Sequence, residues 1–134
     1  MLLVGLLLAL FILAVGFKMP YDEKLFKKIA ELLINTKGIE PKKMFGGICF
    51  LHQGNMLCGI DGKRLMVRVG ADQHEYALSL KHAKIMDITG RPMKGFIFVE
   101  EAGYKTTSAL SKWVDLGLKF TSTLPPKKTK KKIK

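Results

Sequence analysis

Three side chains capable of metal or redox chemistry stand close together: Cys49, His52 and Cys58. A structural zinc site takes four such ligands. Residues 49 and 52 are three apart on one predicted strand, so they point to opposite faces. The neighbourhood holds no fourth ligand, and no metal is expected. The thiols raise a question of register. With Gln53-Gly54 as a two-residue loop, 52 pairs with 55 and 49 with 58, and the thiols face each other across the hairpin. With Gly54-Asn55 as the loop, 49 pairs with 60 and they separate. A redox pair and two buried free thiols both stay open. Two cysteines suit a reducing compartment and do not suggest a disulfide scaffold.

Other chemistry finds little support. His52, His74 and His82 have no fixed spacing to a carboxylate, and His74 and His82 are expected on or beside the exposed side of the second helix. The chain contains no G-x-S-x-G, C-x-x-C or H-E-x-x-H. Its glycine-rich stretch 54–59 lacks the Lys-Ser/Thr of a phosphate loop, and Gly59 and Gly62 fall in a hairpin. No enzyme and no cofactor is implied.

Two glycine-punctuated motifs say more. Gly46 and Gly47, within Met44-Phe45-Gly46-Gly47, fall inside a predicted strand. Glycine there marks a bulge or a close backbone approach, where either a helix crosses or a partner binds. In the second motif Gly90 and Gly95 bracket Arg91-Pro92-Met93-Lys94. Arg91 and Lys94 are candidates to receive an anion or an acidic partner; the plainer reading is a stiff loop with solvated charges.

The chain carries a formal net charge of +12 over 134 residues. Half of it sits in the last eight residues: Lys127, Lys128, Lys130, Lys131, Lys132 and Lys134. This balance favours anionic partners, nucleic acid among them, although a solvated tail is the plainer reading of a lysine run. The only arginines are Arg64, Arg68 and Arg91. Base-specific readout favours Arg over Lys, so any nucleic-acid binding should be sequence-independent.

Residues 1–17 are apolar or glycine throughout. As a helix they would run about 25 Å, short of the roughly 30 Å hydrocarbon core of a bilayer. Three readings stand: a start misplaced upstream of Met19, a membrane anchor, or a signal peptide lacking a positive n-region but with a small-x-small site at Ala14-Val15-Gly16. An anchor would leave the basic flank on the cytoplasmic side.

The elements that position these residues follow from periodicity. Leu25, Phe26, Ile29, Leu32 and Leu33 form one face of a helix over 22–35, ended at Gly38. Strands are expected at 45–52, 56–60 and 64–69, with Asp61-Gly62 as a hairpin signal. In the last strand, Leu65, Val67 and Val69 alternate with Arg64, Met66 and Arg68, giving one buried and one basic face. Asp72 with Glu75 reads as the cap of a second helix, to about residue 80. Strands at 84–88 and 96–99 follow, the latter apolar on both faces and so central. Thr107 or Ser108 caps a third helix, to about residue 122, with Leu110, Trp113, Val114, Gly117 and Phe120 in 3.6-residue period. The order α-β-β-β-α-β-β-α predicts an α+β domain over 19–124, with a mainly antiparallel five-stranded sheet and helices packed on it. Residues 125–134 are expected to be a disordered lysine-rich tail.

Several stretches together resemble the N-terminal domain of the TfoX/Sxy family, named for regulators of bacterial DNA transformation competence. They are Lys43-Met44-Phe45-Gly46-Gly47, Gly54-Asn55-Met56-x-Cys58-Gly59, Leu65-Met66-Val67-Arg68-Val69-Gly70, Met86-Asp87-x-Thr89-Gly90-Arg91-Pro92-Met93-Lys94-Gly95-Phe96, and Trp113-Val114. The resemblance implies a secretion chaperone-like α+β fold and a non-enzymatic regulatory or protein-interaction role, with a link to transcriptional or competence regulation. Two features depart from the family pattern. Full-length competence regulators carry a second, helical domain where this chain has the lysine tail, and residues 1–18 lie outside the pattern. The interaction surface expected is Gly46, Gly47, Arg64, Arg68, Arg91 and Lys94. A protein is the expected partner, a transcription regulator being one candidate. Nucleic acid through the tail is the alternative, and a homodimer stays open. The membrane is a partner only if residues 1–17 remain as an anchor. The expected location is the cytoplasm.

Overall fold

The computed structural model describes residues 21–44, 46–87 and 90–127. The apolar segment 1–17, Phe45 and the last lysines from Lys128 onward lie outside the described residues.

Helix α1 (Glu23–Leu32) starts where Asp22 turns its carboxylate back onto the backbone N–H groups of Lys24 and Leu25, at 2.9 and 3.2 Å. That satisfies two of the donors a helix start leaves unpaired. Its apolar face buries Leu25 and Ile29. Six strands follow: β1 (Ile39–Met44), β2 (Gly47–His52), β3 (Asn55–Asp61), β4 (Arg64–Arg68), β5 (Ala83–Asp87) and β6 (Pro92–Val99). Helix α2 (His74–Ser79) lies between β4 and β5, and α3 (Thr107–Thr121) closes the described fold.

The sheet order is β1-β2-β3-β4-β6-β5, antiparallel at each pairing. The fold is α+β as expected, with one strand more than the five predicted. The additional strand is β1. Its sequence, Ile-Glu-Pro-Lys-Lys-Met, has no alternation and carries a proline. Those are features of an edge strand, where Pro41 costs no ladder bond and lysines deter further pairing. Gly46 and Gly47 therefore do not lie within one long strand. Gly46 stands at φ +77° in the turn from β1 to β2, and Gly47 opens β2. At the other edge β5 pairs with β6, which leaves β6 between β4 and β5. This is the central position its apolar faces predicted.

Other boundaries move slightly. Asp61 pairs with Arg64, so the β3–β4 loop is Gly62-Lys63. The expected Asp72 cap is replaced by a 3-10 turn, Ala71–Gln73, and α2 has no side-chain cap. Thr106, one residue earlier than expected, caps α3 by accepting from the Ala109 N–H at 3.0 Å. Four of the seven residues of the predicted 89–95 loop are strand, because β6 begins at Pro92. The start of the tail is docked: the Lys127 N–H donates to the Gln53 carbonyl at 2.8 Å, and Asn55 Nδ2 donates to the Pro125 carbonyl at 3.0 Å.

The three described helices cover one face of the sheet. Leu25 and Ile29 of α1, Ala77 of α2, and Leu110, Trp113 and Val114 of α3 share a core with Phe50, Cys58, Ile60, Leu65, Val67, Ile97 and Val99. Burying those side chains is the main favourable term of the fold. Trp113 Nε1 donates to the Gly103 carbonyl at 2.9 Å, so its one polar atom is satisfied in that core.

Candidate functional site

The other face of the sheet carries no described helix. Cross-strand partners share a face, so the register defines a row across all six strands. Lys42 pairs with Cys49, Cys49 with Gly59, Gly59 with Met66, Met66 with Phe98, and Phe98 with Lys84. The row has an exposed lysine at each end and apolar groups between. Gly59 makes room at the centre. A Cβ there would stand 2.6 Å from Met66 Cε and 2.9 Å from Cys49 Sγ. Cys49, Met66, Met86 and Phe98 form a second apolar cluster, flanked by half-buried Met44, Met56, Met93 and Phe96.

The arginines of β4 lie on this cluster's aromatic rings. The Arg64 guanidinium stands 3.8 Å from the centre of the Phe98 ring and pairs with Asp61 at 2.8 Å. Arg68 stands 5.5 Å from Phe96 and 5.3 Å from Phe120 of α3, at the margin of the face. Such contacts contribute about 0.5–1 kcal/mol each when exposed. They also hold the cations at the surface of an otherwise apolar patch.

Of the six residues predicted as an interaction surface, the structure brings only Arg64 and Arg68 together on this face. Gly46 is exposed in the β1–β2 turn, at the end of the sheet where β4 begins with Arg64. Gly47 is buried, and its close neighbour is the Ile60 carbonyl of β3, not a crossing helix. Arg91 and Lys94 are exposed at the opposite end. Gly95, at φ +90°, breaks the alternation of β6, so Met93 and not Lys94 joins Phe96 and Phe98. Among the tail lysines, Lys127 is described, on the β2–β3 hairpin. Lys128, Lys130, Lys131, Lys132 and Lys134 lie outside the described residues. Sequence reasoning missed Lys42, Lys84 and the methionines. The register of β1 and β5 against their neighbours is what aligns them, and β1 had not been recognised as a strand.

The cysteines are free and buried. His52 does pair with Asn55, but a bulge between Phe50 and Leu51 shifts the register. Cys49 then faces Gly59, and Cys58 faces Phe50. The thiols sit on opposite faces, Cys49 in the methionine cluster and Cys58 in the main core. Burial pushes the Cys49 thiol up to about 11. It pushes Cys58 further, and the neighbouring Cys49 adds to that rise. Neither thiol is poised as a nucleophile. His52 lies on the helical side, its Nδ1 2.8 Å from Thr121 Oγ1. His74 is buried rather than on an exposed helix side. Its Nδ1 accepts the Gly95 N–H at 2.9 Å, tying α2 to the bulge in β6. An open groove between α2 and α3 is lined by Tyr76, Leu80, Trp113, Leu116 and Lys119. Among the described residues, no cluster of three or more His, Cys, Asp or Glu side chains is placed to hold a metal.

The molecule is thus an α+β domain with a helix-covered core and a second, cation-bordered apolar face. The TfoX N-terminal domain family matches residues 31–121, which is more than half of the chain, and the chain belongs to that family. Neither the curated proteins nor the solved structures gave a match. Among the described residues no helix is long and apolar enough to cross a membrane.

Proposed function

We propose that this domain is a non-enzymatic regulatory module that binds a protein partner through the face of its sheet that carries no described helix. The observation that carries the reading is the six-strand row from Lys42 to Lys84, whose exposed end lysines border an apolar cluster flanked by half-buried Met44, Met56, Met93 and Phe96. Methionine side chains repack easily and suit surfaces that accept apolar segments. The flanking lysines, with Arg64, complement carboxylates beside such a segment. In this reading the partner is an amphipathic, acidic-flanked segment of a transcription regulator or a similar cytoplasmic protein, as the regulatory role of the family suggests.

The test uses the full chain with Lys42→Glu and Lys84→Glu together, both at exposed positions. Partner capture by crosslinking should fall about tenfold, equivalent to about 1.4 kcal/mol. Arg91→Glu with Lys94→Glu, at the far end of the sheet, should leave capture nearly unchanged. Equal capture by the wild type and the Lys42/Lys84 variant would refute the reading. A second reading, sequence-independent binding of nucleic acid, is favoured by the concentration of lysine after Pro126.

A further inference from the structure

Helix α2 packs on β5 and β6, and α3 packs on β3 and β4. With 6 residues, α2 is too short to fill the strip beside the 15 residues of α3. Two adjoining hollows of about 760 and 710 Å³ run along that strip and share Tyr76, Leu116 and Lys119. Ala109, Trp113, Leu116 and Phe120 recur at helical spacing along the α3 wall, and Tyr76 and Leu80 line the α2 wall. Trp113 is buried, but Leu80, Leu116 and Phe120 are only half-buried, and Tyr76 is 54% exposed. This apolar groove lies on the helix-bearing side of the sheet, opposite the face proposed above.

We propose that the groove seats an amphipathic helix of a partner protein, one with carboxylates seven residues apart along a margin of its apolar stripe. The walls decide the conformation of the occupant. Both are helices, whose backbone groups are paired internally, so an incoming segment finds no strand edge to bond with. It must satisfy its own N–H and C=O groups, as a helix does. The reach from Ala109 to Phe120 is about 17 Å, three turns of such a helix. Charge decides the margin. Lys112 and Lys119 are exposed on the α3 wall, and among the described residues neither has an ion-pair partner. At about 100° per residue they stand about 20° apart around α3, with Leu116, Phe120 and Trp113 to one side. Asp115 also lines the groove, but it falls about 60° from Lys112 on the other side, away from the apolar stripe. The remaining carboxylate, Asp72, lines the Phe120 end. An apolar helix pressed against Leu116 therefore meets the two lysines first, two turns apart, and acidic residues at that spacing complement them. The site is separate from the sheet face, and either can stand without the other.

The test titrates the full chain against a fluorescein-labelled helical peptide with a leucine stripe at helical spacing and two glutamates seven apart beside it. Binding should be saturable and should shift the emission of Trp113, the single tryptophan, which lines the groove. A peptide of identical composition, its glutamates exchanged with glutamines to stand five apart, should bind about tenfold more weakly, equivalent to about 1.4 kcal/mol. Lys112→Glu with Lys119→Glu should weaken the first peptide at least about tenfold, and replacing the two peptide glutamates by lysine should restore most of the loss. Tyr76→Ser should weaken both peptides. All three substitutions are at exposed positions, so the variants keep the fold. Lys42→Glu with Lys84→Glu, on the opposite side of the sheet, should leave the affinity unchanged. Absence of saturable binding would overturn the proposal, as would equal affinity for the two spacings. So would a loss that follows Lys42 and Lys84 instead of Lys112 and Lys119.

Discussion

Alanine at Gly46 and at Gly47 should cost different amounts for different reasons, although the two glycines are adjacent. A Cβ on Gly47 would stand 1.9 Å from the Ile60 carbonyl oxygen, 3.0 Å from its carbon and 3.3 Å from Asp61 Cα. Non-bonded heavy atoms are comfortable at about 3.5–4.0 Å. The obstacle is the backbone of the neighbouring strand and cannot rotate away. Strand β2 or β3 must therefore shift by more than an ångström beside the Ile48–Ile60 pair, both of whose side chains lie in the main core. Overpacking of this kind costs about 1–3 kcal/mol and sometimes more, and a rigid obstacle puts Gly47→Ala near ~3 kcal/mol. At Gly46 nothing lies within 4 Å of the added Cβ. The cost there comes from φ +77°, about 1–2 kcal/mol for a side chain in the left-handed region. The difference of ~1–2 kcal/mol corresponds to roughly 4–16 °C in Tm for a domain of this size. Urea unfolding followed by fluorescence of the single tryptophan, Trp113, measures both variants. Asparagine separates the mechanisms further, since it tolerates the left-handed region. Gly46→Asn should recover much of the loss, and Gly47→Asn none. Equal losses at the two sites with unchanged m-values would refute the close-approach argument.

Thr121→Val should leave His52 Nδ1 without its partner and cost about 1–3 kcal/mol, the penalty for an orphaned buried polar atom; a smaller shift in the urea midpoint would show that the contact is dispensable. The buried thiols make stability depend on alkaline pH. Both are raised from an ordinary value of 9.0, Cys49 to about 11, so the folded chain keeps protons that the unfolded chain has lost. Their contribution is complete below pH 9 and declines as pH rises toward 11. Tyr104, raised to about 12 chiefly by burial, extends the decline. Urea midpoints should fall between pH 8 and 10.5, and Cys49→Ala should flatten part of that slope; a level profile would contradict it. Ending the chain after Lys127 keeps the two hydrogen bonds that dock the tail's start. Tm should change little, while the slope of log binding to DNA against log salt should shallow by up to about 0.9 for each lost phosphate contact. Unchanged DNA retention would exclude a role for the tail lysines.

Helix α1, the hairpin strands β2 to β4 and helix α3 were legible in the sequence because their patterns are local. Leu25 and Ile29 recur at helical spacing, and Leu65 and Val67 alternate with Arg64, Met66 and Arg68. Pro125-Pro126 and the glycines mark where elements stop. The family motifs were readable for the same reason. The face without a described helix was not. Strand β1 lacks any alternation, and it becomes a strand only because β2 offers it an edge to pair with. A bulge between Phe50 and Leu51 decided which face each thiol took, and a one-residue slip in a strand exchanges its faces. His74 looked like a surface residue of a short helix until packing turned it toward the Gly95 N–H. The sequence alone determined which elements form, their approximate limits and the family. Tertiary structure decided which side chains meet. Lys42 and Lys84 are 42 positions apart in the chain, and only the order of six strands sets them at the two ends of one row.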